Sequence, residues 1–221
     1  MRVIIFLAFI LLSVSSVTAE EFFAFKAGDK VVTLALPEGF CEKTDTPNGK
    51  TYESLIGSLM DAAGLSEVVL AGVILPCDEA SFEGYPWGWV GYLPDDLKGV
   101  TQTMFNEYMA EQGLDLIAPL INDRINSKEF TDEAEQSTGH IFENKAGKPI
   151  IYDMNKDHIL LVTPLEGALD GKRVREVNLT SSRIRNGTMV YVYTYELQGN
   201  TAGVGSLIKG MLKIRKEIFI K

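Results

Sequence analysis

The chain has 221 residues, of which 46% are hydrophobic and 23% are charged, and its 21 basic and 30 acidic residues give a formal net charge of −9. An acidic protein repels phosphate backbones, so we expect no nucleic acid among its partners. The length suits one domain with a hydrophobic core of its own, because domains commonly span roughly 100–200 residues.

The N-terminus has the pattern of a cleavable export signal. An apolar run over residues 3–12 is followed by small residues that end Val-Thr-Ala at 17–19, an A-x-A type of cleavage site. The run is shorter than the ~20 apolar residues that a membrane-spanning helix needs. We expect a signal peptide over residues 1–19 and a single secreted or periplasmic domain over residues 20–221, without a transmembrane segment. Because Arg2 is the one charge in the signal, the mature domain keeps 20 basic and 30 acidic residues, a formal charge of −10.

Two cysteines, Cys41 and Cys77, are present. In an oxidising compartment an even pair favours a disulfide. A catalytic or redox thiol is the alternative, but neither cysteine lies in a C-x-x-C or a nucleophile motif. We expect a disulfide that contributes about 3–4 kcal/mol in the chain-entropy model.

The first part of the mature chain predicts a hairpin, a helix and a strand. Two β-rich runs, residues 22–26 and 31–36, flank a Gly-Asp turn. A helix follows, with Thr51 as its N-cap. Its apolar stripe consists of Tyr52, Leu55, Ile56, Leu59 and Met60. Residues 67–75 are apolar and β-branched, which is typical of a buried strand.

The middle of the chain predicts one strand and more helix. Residues 85–93 are predicted to be extended, and a helix that ends at Gly113 comes next. The apolar stripe of that helix is Met104, Phe105, Tyr108 and Met109. Residues 114–125 are predicted to be helical with a kink or a break at Pro119, and residues 131–138 to be an exposed loop.

The last third predicts an antiparallel meander over residues 141–197, in which Asn186-Gly187 is a strong hairpin signal. A C-terminal amphipathic helix follows. Its apolar stripe consists of Val204, Leu207, Ile208, Met211, Leu212, Ile218 and Phe219. The predicted fold class is therefore α+β, an antiparallel β-sheet with packed helices and a C-terminal amphipathic helix.

The order of these elements and the segment Leu-Pro-Glu-Gly-Phe at residues 36–40 resemble the PsbP-like α/β/α sandwich. Its members include the extrinsic photosystem II subunit and uncharacterised exported bacterial proteins. The resemblance covers much of the mature chain and includes no catalytic motif, and the helical insert at residues 95–128 departs from a minimal version. It implies a fold and an accessory role in larger complexes, not a reaction.

Two rows of alternating aromatic residues are the candidate ligand-binding residues. They are Tyr85, Trp87 and Trp89 in one strand and Tyr191, Tyr193 and Tyr195 in another. In a strand each row occupies one face, and an exposed row can stack on sugar rings or hold a peptide. The alternative is that the rings belong to the core, because aromatic side chains bury large areas. A groove shared by both rows would favour the ligand interpretation.

Metal and cofactor sites are not predicted. His140 and His158 lie apart and are expected in a loop and at a strand end, whereas a zinc site needs three or four ligands. Asp153, Asn155 and Asp157 have the first spacings of a calcium loop, but the glycine and glutamate that the loop requires are missing. We therefore favour a hairpin turn there.

Two other patterns leave alternatives open. The glycine-rich residues 199–205 before the last helix can hold an anion at a helix N-terminus or simply form a flexible entry. Asn178 and Asn186 begin N-x-[ST] sequons, which matter only in a eukaryotic source.

The C-terminal helix gathers positive charge in an otherwise acidic protein, at Lys209, Lys213, Arg215 and Lys216. Such a surface can meet an acidic partner or make peripheral contact with an anionic membrane. The alternative is a solvated helix face whose last lysines suit the helix dipole.

The expected function is that of an exported, non-enzymatic accessory or binding domain of the cell envelope, with an unknown protein or envelope component as partner. One alternative is a glycan- or peptide-binding domain that uses an aromatic row. Another is a hydrolase whose site is assembled only in three dimensions. The sequence offers no catalytic constellation, so an enzyme is the less favoured class.

Overall fold

The computed structural model describes residues 22–62, 67–78, 84–94, 97–115, 142–169, 171–214 and 218–220, together with residues 119, 128, 131, 132 and 135. Several sequence predictions lie outside the described residues. They are the signal peptide, most of the segment 114–138, the position of His140, and the basic residues Arg215 and Lys216. Within the predicted loop over residues 131–138, the described residues 131, 132 and 135 are helical, so the loop prediction is wrong there.

A small sheet brings the two ends of the domain together. Strands β1 (Phe22–Ala27) and β2 (Lys30–Ala35) form the predicted hairpin, and β11 (Ile218–Ile220) pairs antiparallel with β2. The C-terminal helix was predicted to continue to Phe219, which is wrong. The run Ile-Phe-Ile has high strand propensity, and an open edge of β2 gives its backbone hydrogen-bond partners.

A larger antiparallel sheet forms the centre of the fold. Its strands are β3 (Phe40–Glu42), β4 (Val69–Pro76), β5 (Trp87–Leu93), β6 (Phe142–Ala146), β7 (Ile150–Asn155), β8 (His158–Leu169), β9 (Lys172–Arg185) and β10 (Thr188–Leu197). Within the described residues their order is β3-β4-β5-β10-β9-β8-β6, and β7 also pairs with β8. The predicted meander is confirmed from β7 to β10, with Asn186 and Gly187 at positive φ in its last turn, but β6 pairs with β8 rather than with β7.

Three helices flank this sheet in the part of the chain that is described. They are α1 (Pro47–Ala62), α2 (Gln102–Tyr108) and α3 (Thr201–Ile214), and a π-helical turn (Met109–Gly113) extends α2. The prediction that Thr51 caps α1 is wrong. Thr46 precedes Pro47, and its Oγ1 accepts a hydrogen bond from the Gly49 amide at 3.1 Å, the arrangement of an N-cap before a proline at the first helical position. None of these helices is long and apolar enough to span a bilayer.

Two hydrophobic cores lie on opposite faces of the larger sheet. One joins the sheet to the small sheet and to α3, through residues such as Leu34, Leu160, Val192 and Met211. The other joins α1 to β4, β5 and β10. Helices therefore cover both faces, and the α+β class with a packed C-terminal helix is confirmed.

The predicted apolar stripe of α2 is wrong at two of its four residues. Met104 and Tyr108, which were expected to be buried, are 53% and 46% exposed. Met109 is buried as predicted, and Gln102 and Asn106 complete the buried face in place of Met104 and Tyr108.

Backbone hydrogen bonds explain why two amides replace apolar residues on that face. The Gln102 Oε1 atom accepts from the Ile184 amide at 2.5 Å, and Asn106 Nδ2 donates to the Asn155 carbonyl at 2.5 Å. The two amides are joined by a 2.8 Å hydrogen bond. The side chains of Gln102 and Asn106 therefore hold α2 to the ends of β9 and β7. Buried amides are favourable when their oxygen and nitrogen atoms have hydrogen-bond partners, as they do here.

The predicted disulfide between Cys41 and Cys77 is confirmed, with a Cα–Cα distance of 4.9 Å. Cys41 lies in β3 opposite Leu75 of β4, and Cys77 follows β4 directly. The bond therefore ties a three-residue edge strand to its neighbour.

Candidate functional site

The topology brings the two aromatic rows together. Strands β5 and β10 are antiparallel neighbours, and their register places Trp89 opposite Tyr193 and Trp87 opposite Tyr195. Each pair is stacked with ring centroids 4.0 Å apart. The rows therefore share one face of the sheet, which we call the aromatic face.

Helix α1 covers the tryptophan side of the aromatic face. Trp87 and Trp89 are only 6% and 5% exposed and belong to the second core with Ile56 and Met60 of α1. A Cβ atom on Gly91 would lie 2.7 Å from the Trp89 ring, so this glycine makes room for the indole rather than leaving a binding space. The two indoles are core side chains, and ligand binding at the aromatic face stays a prediction.

A tyrosine–carboxyl pair lies at one end of the aromatic face. The Tyr85 hydroxyl donates a hydrogen bond to Glu176 Oε1, and the Tyr52 hydroxyl donates to the Gly84 carbonyl at 3.0 Å. Burial raises the pKa of the Glu176 carboxyl, although the bond from Tyr85 opposes that shift. Burial, with a smaller contribution from Glu176, raises the pKa of Tyr52 to about 12.

The tyrosines of β10 are half-buried and remain neutral at physiological pH. Burial raises the pKa of Tyr191 to about 12 and that of Tyr195 to about 12, and it places the pKa of Tyr193 well above its usual range. Neutral phenols can donate hydrogen bonds to a ligand but are poor proton acceptors at this pH.

A row of polar side chains on β9 lies opposite the β10 tyrosines. Asn178, Thr180 and Ser182 face Tyr195, Tyr193 and Tyr191 in the register. Asn178 Nδ2 donates to the Thr194 carbonyl at 3.3 Å, and Thr180 Oγ1 donates to Asn178 Oδ1 at 2.8 Å. Asn178 is only 7% exposed, so the first sequon lies inside the fold, whereas Asn186 is exposed in its turn.

His158 begins β8, as expected of a residue at a strand end, but its side chain does not reach the surface. It is fully buried, with Nε2 3.0 Å from Asp153 Oδ2 and Nδ1 3.2 Å from Asn155 Oδ1. Asn155 Oδ1 also accepts from the Asp157 amide at 2.9 Å. These groups close the β7–β8 turn around the imidazole, which agrees with the hairpin interpretation of this segment.

Two side chains of this protein lie at the N-terminus of α3, the capping Asn200 and the carboxylate of Glu196. Asn200 Oδ1 accepts from the Gly203 amide at 3.0 Å. A Cβ atom on Gly203 would lie 2.6 Å from Glu196 Oε2, so the carboxylate of Glu196 lies at the first turn. Negative charge near the N-terminus of a helix is favoured by the helix dipole.

Of the four basic residues predicted to form a partner surface, Lys209 and Lys213 are among the described residues. Lys209 and Lys213 are exposed on α3, on the side away from the buried Leu207 and Met211. The partner of these lysines stays a prediction.

Sequence reasoning missed an exposed apolar surface on two elements that pack together. Helix α2 contacts β7, and both carry large apolar side chains that are 40–55% exposed. These side chains are Met104, Tyr108, Ile150, Tyr152 and Met154, and we call them the α2–β7 surface. The alternation of Ile150, Tyr152 and Met154 was the available signal, but an alternating apolar row ordinarily predicts a buried face.

A groove lies beside the α2–β7 surface, between α2 with its π turn and the β7–β8 turn. Its volume is about 350 Å³. It is lined by Thr103, Asn106, Glu107, Ala110, Glu111, Met154, Asn155 and Lys156.

Comparison with known proteins finds similarity of structure and little similarity of sequence. No protein-family model and no curated protein matches the chain. One similar structure is the cyanobacterial PsbP protein CyanoP from Synechocystis sp. PCC 6803, which is 11% identical, with 96% of this chain and 99% of that chain covered and a TM-score of 0.41.

Two further structures have a similar architecture. LpqN, involved in cell envelope biogenesis of Mycobacterium tuberculosis, is 11% identical, with 92% of each chain covered and a TM-score of 0.39. The Ran-binding protein Mog1p of Saccharomyces cerevisiae is 12% identical, with 89% of this chain and 95% of that chain covered and a TM-score of 0.35. The PsbP-like resemblance is thus found as a weak structural similarity, and it carries no conclusion about activity.

Proposed function

We propose that the chain is an exported accessory domain of the cell envelope that binds a protein partner through the α2–β7 surface. The observation that carries this proposal is the exposure of five large apolar side chains, none of which belongs to either hydrophobic core. Large apolar side chains that are exposed on neighbouring elements commonly mark an interaction site.

Export is supported by two independent features. Residues 1–19 have the charge, apolar run and small-residue end of a signal peptide. The disulfide between Cys41 and Cys77 is of a kind that persists in oxidising compartments. Together they favour a secreted or periplasmic location for the mature domain.

Site-specific photo-crosslinking tests the docking surface. A photoreactive phenylalanine derivative replaces Tyr152 or Tyr108 in the full-length protein, expressed in its own host. Phe22, an aromatic side chain of β1 that is 50% exposed, is the matched control position. We expect the same crosslinked species from Tyr152 and Tyr108 and none from Phe22. Absence of that species, or its appearance from all three positions, contradicts the proposal.

A second candidate function is the binding of a glycan or peptide at the aromatic face. The observation in its favour is that both aromatic rows lie side by side, with half-buried tyrosines next to polar side chains of β9. Tyr191→Ser would remove one half-buried ring without touching the tryptophans, and Tyr108→Ser is the control on the α2–β7 surface. Loss of binding to a glycan or peptide panel with Tyr191→Ser alone would favour this candidate.

The hydrolase alternative stays a prediction. Glu176 is a carboxyl whose pKa is raised by burial, but its oxygen is bonded to Tyr85 and it does not line the groove beside α2.

A further inference from the structure

The walls of the groove are held in place by the buried polar pair of α2. Asn106 lines the groove and is 5% exposed, and its side-chain amide donates to the carbonyl of Asn155 on the opposite wall. Gln102 joins Asn106 to the Ile184 amide of β9. The groove is therefore preformed, and a partner that enters it does not first have to order its walls.

Apolar atoms are available inside the groove and beside it. Ala110 and Met154 line the groove, and Met154 is 40% exposed. Tyr108 is exposed on the same helix. The π turn that contains Ala110 adds a residue to the helical turn, a deviation that is frequent at functional sites. An apolar side chain of a partner would bury surface here that is otherwise exposed to water.

The helical wall of the groove is acidic. Glu107 and Glu111 are exposed, stand four residues apart, and have no ion-pair partner among the described residues. The next carboxylate along the helix, Asp115, differs because Lys148 Nζ lies 3.0 Å from its Oδ1. Lys156 is the cation on the opposite wall. The charged side chains that line the two walls are thus of opposite sign, in a chain whose formal net charge is −9.

We propose that the groove binds an amphipathic helix of a partner protein that carries basic side chains. Its apolar side chain would lie over Ala110 and Met154, and lysines or arginines one turn apart would pair with Glu107 and Glu111. Both glutamates line the groove, so a helix that lies along α2 would face both carboxylates. This inference rests on the proposed function, because it specifies the partner of the α2–β7 surface.

A pair of synthetic helices tests the charge of the partner. One peptide is built from leucine and lysine, and the other has glutamate at each lysine position. Their binding to the processed protein is followed by fluorescence anisotropy. We expect binding of the lysine peptide alone, weakened at high salt because exposed charges are screened. Equal binding of both peptides, or no binding of the lysine peptide, overturns the proposal.

Variants of the groove locate the binding. E107Q/E111Q is expected to weaken binding of the lysine peptide about fivefold to tenfold, as loss of two exposed ion pairs would. The matched control E53Q/D61N removes the same charge from the exposed side of α1 and is expected to change binding less than about twofold. Equal weakening by both pairs would mean that net charge alone attracts the peptide, which overturns the proposal.

Two more variants keep the result independent of protein stability. Ala110→Trp fills the groove and is expected to abolish binding while circular dichroism remains native. Lys156→Gln removes the opposing cation and is expected to strengthen binding, a result that loss of folding cannot produce. If neither E107Q/E111Q nor Lys156→Gln changes binding, the basic helix is the wrong partner. A specific crosslink from Tyr152 would in that case still support a protein partner at the α2–β7 surface, although that partner would not be a basic helix.

Discussion

At the scale of single residues, Gly91 makes room for the Trp89 indole in the hydrophobic core between α1 and the larger sheet. A Cβ atom on Gly91 would meet the Trp89 ring at 2.7 Å and the Val69 carbonyl oxygen at 3.2 Å. Gly91→Ala therefore forces a shift of an indole in a packed core, and we expect a loss of about 1–3 kcal/mol in the free energy of unfolding. Urea denaturation followed by tryptophan fluorescence measures it.

Gly57→Ala is the matched control for that prediction. Gly57 lies within α1 and a Cβ atom there has no neighbour within 4 Å. Alanine is the better helix former, so this variant is expected to gain about 0.5–1 kcal/mol. A Gly91→Ala variant that is as stable as the parent protein would contradict the packing described for Trp89.

The raised pKa of Glu176 predicts how stability depends on pH. A carboxyl whose pKa is higher in the folded state holds its proton more tightly there, so it contributes stability below its ordinary pKa of 4.5 and loses it as the pH rises through the folded value. Glu176→Gln keeps an oxygen that can accept from Tyr85. We expect the variant to gain stability relative to the parent as the pH rises above 4.5.

Denaturation curves of both proteins across this pH range measure the effect of Glu176→Gln. Glu53→Gln, on the exposed side of α1, controls for the loss of one negative charge. A stability difference that stays constant with pH would show that the carboxyl is not titrating as described.

At the scale of elements, hydrophobic spacing predicts strands and two helices but not the orientation of α2. The stripes of α1 and α3 are buried as expected at Ile56, Met60, Leu207 and Met211. Helix α2 differs because its buried amides bond to backbone groups 82 and 49 residues away in the chain. A local pattern carries no information about such partners, so the periodicity of Met104 and Tyr108 led to the wrong face.

A pair of substitutions in α2 tests which face is buried. Gln102→Leu deprives the Ile184 amide of its acceptor, and we expect a loss of about 1–3 kcal/mol in the free energy of unfolding. Met104→Gln is expected to stay within about 0.5 kcal/mol of the parent, because Met104 is exposed. The hydrophobic-stripe interpretation predicts the reverse order, so the two measurements decide between them.

At the scale of the whole molecule, the sequence predicts the fold class and the aromatic rows but not the strand order. The Asn186-Gly187 turn is a local signal, and the meander around it follows from nearest neighbours. The pairing of β5 with β10 joins segments about a hundred residues apart in the chain, and it is this pairing that stacks Trp87 on Tyr195. That the two aromatic rows are neighbours can therefore be predicted only from the strand order, and not from the residue pattern within either strand.

The strand order also separates the disulfide from the proposed docking surface. β3, which carries Cys41, is at one edge of the larger sheet, and β7 lies beyond β8 at the other. Replacing both Cys41 and Cys77 by Ser is expected to lower the free energy of unfolding by about 3–4 kcal/mol, because the cross-link restricts the unfolded chain. Under conditions where the variant is still folded, binding at the groove is expected to be unchanged, because that site shares no residues with β3.

Urea denaturation with and without reductant, combined with the lysine-peptide assay, separates these two effects. The parent in reductant should match the serine variant, and the variant itself should not respond to reductant. A serine variant that is fully folded but has lost peptide binding would mean that the two edges are coupled through the sheet. The order β3-β4-β5-β10-β9-β8 predicts no such coupling, because four strands lie between the disulfide strand and β8.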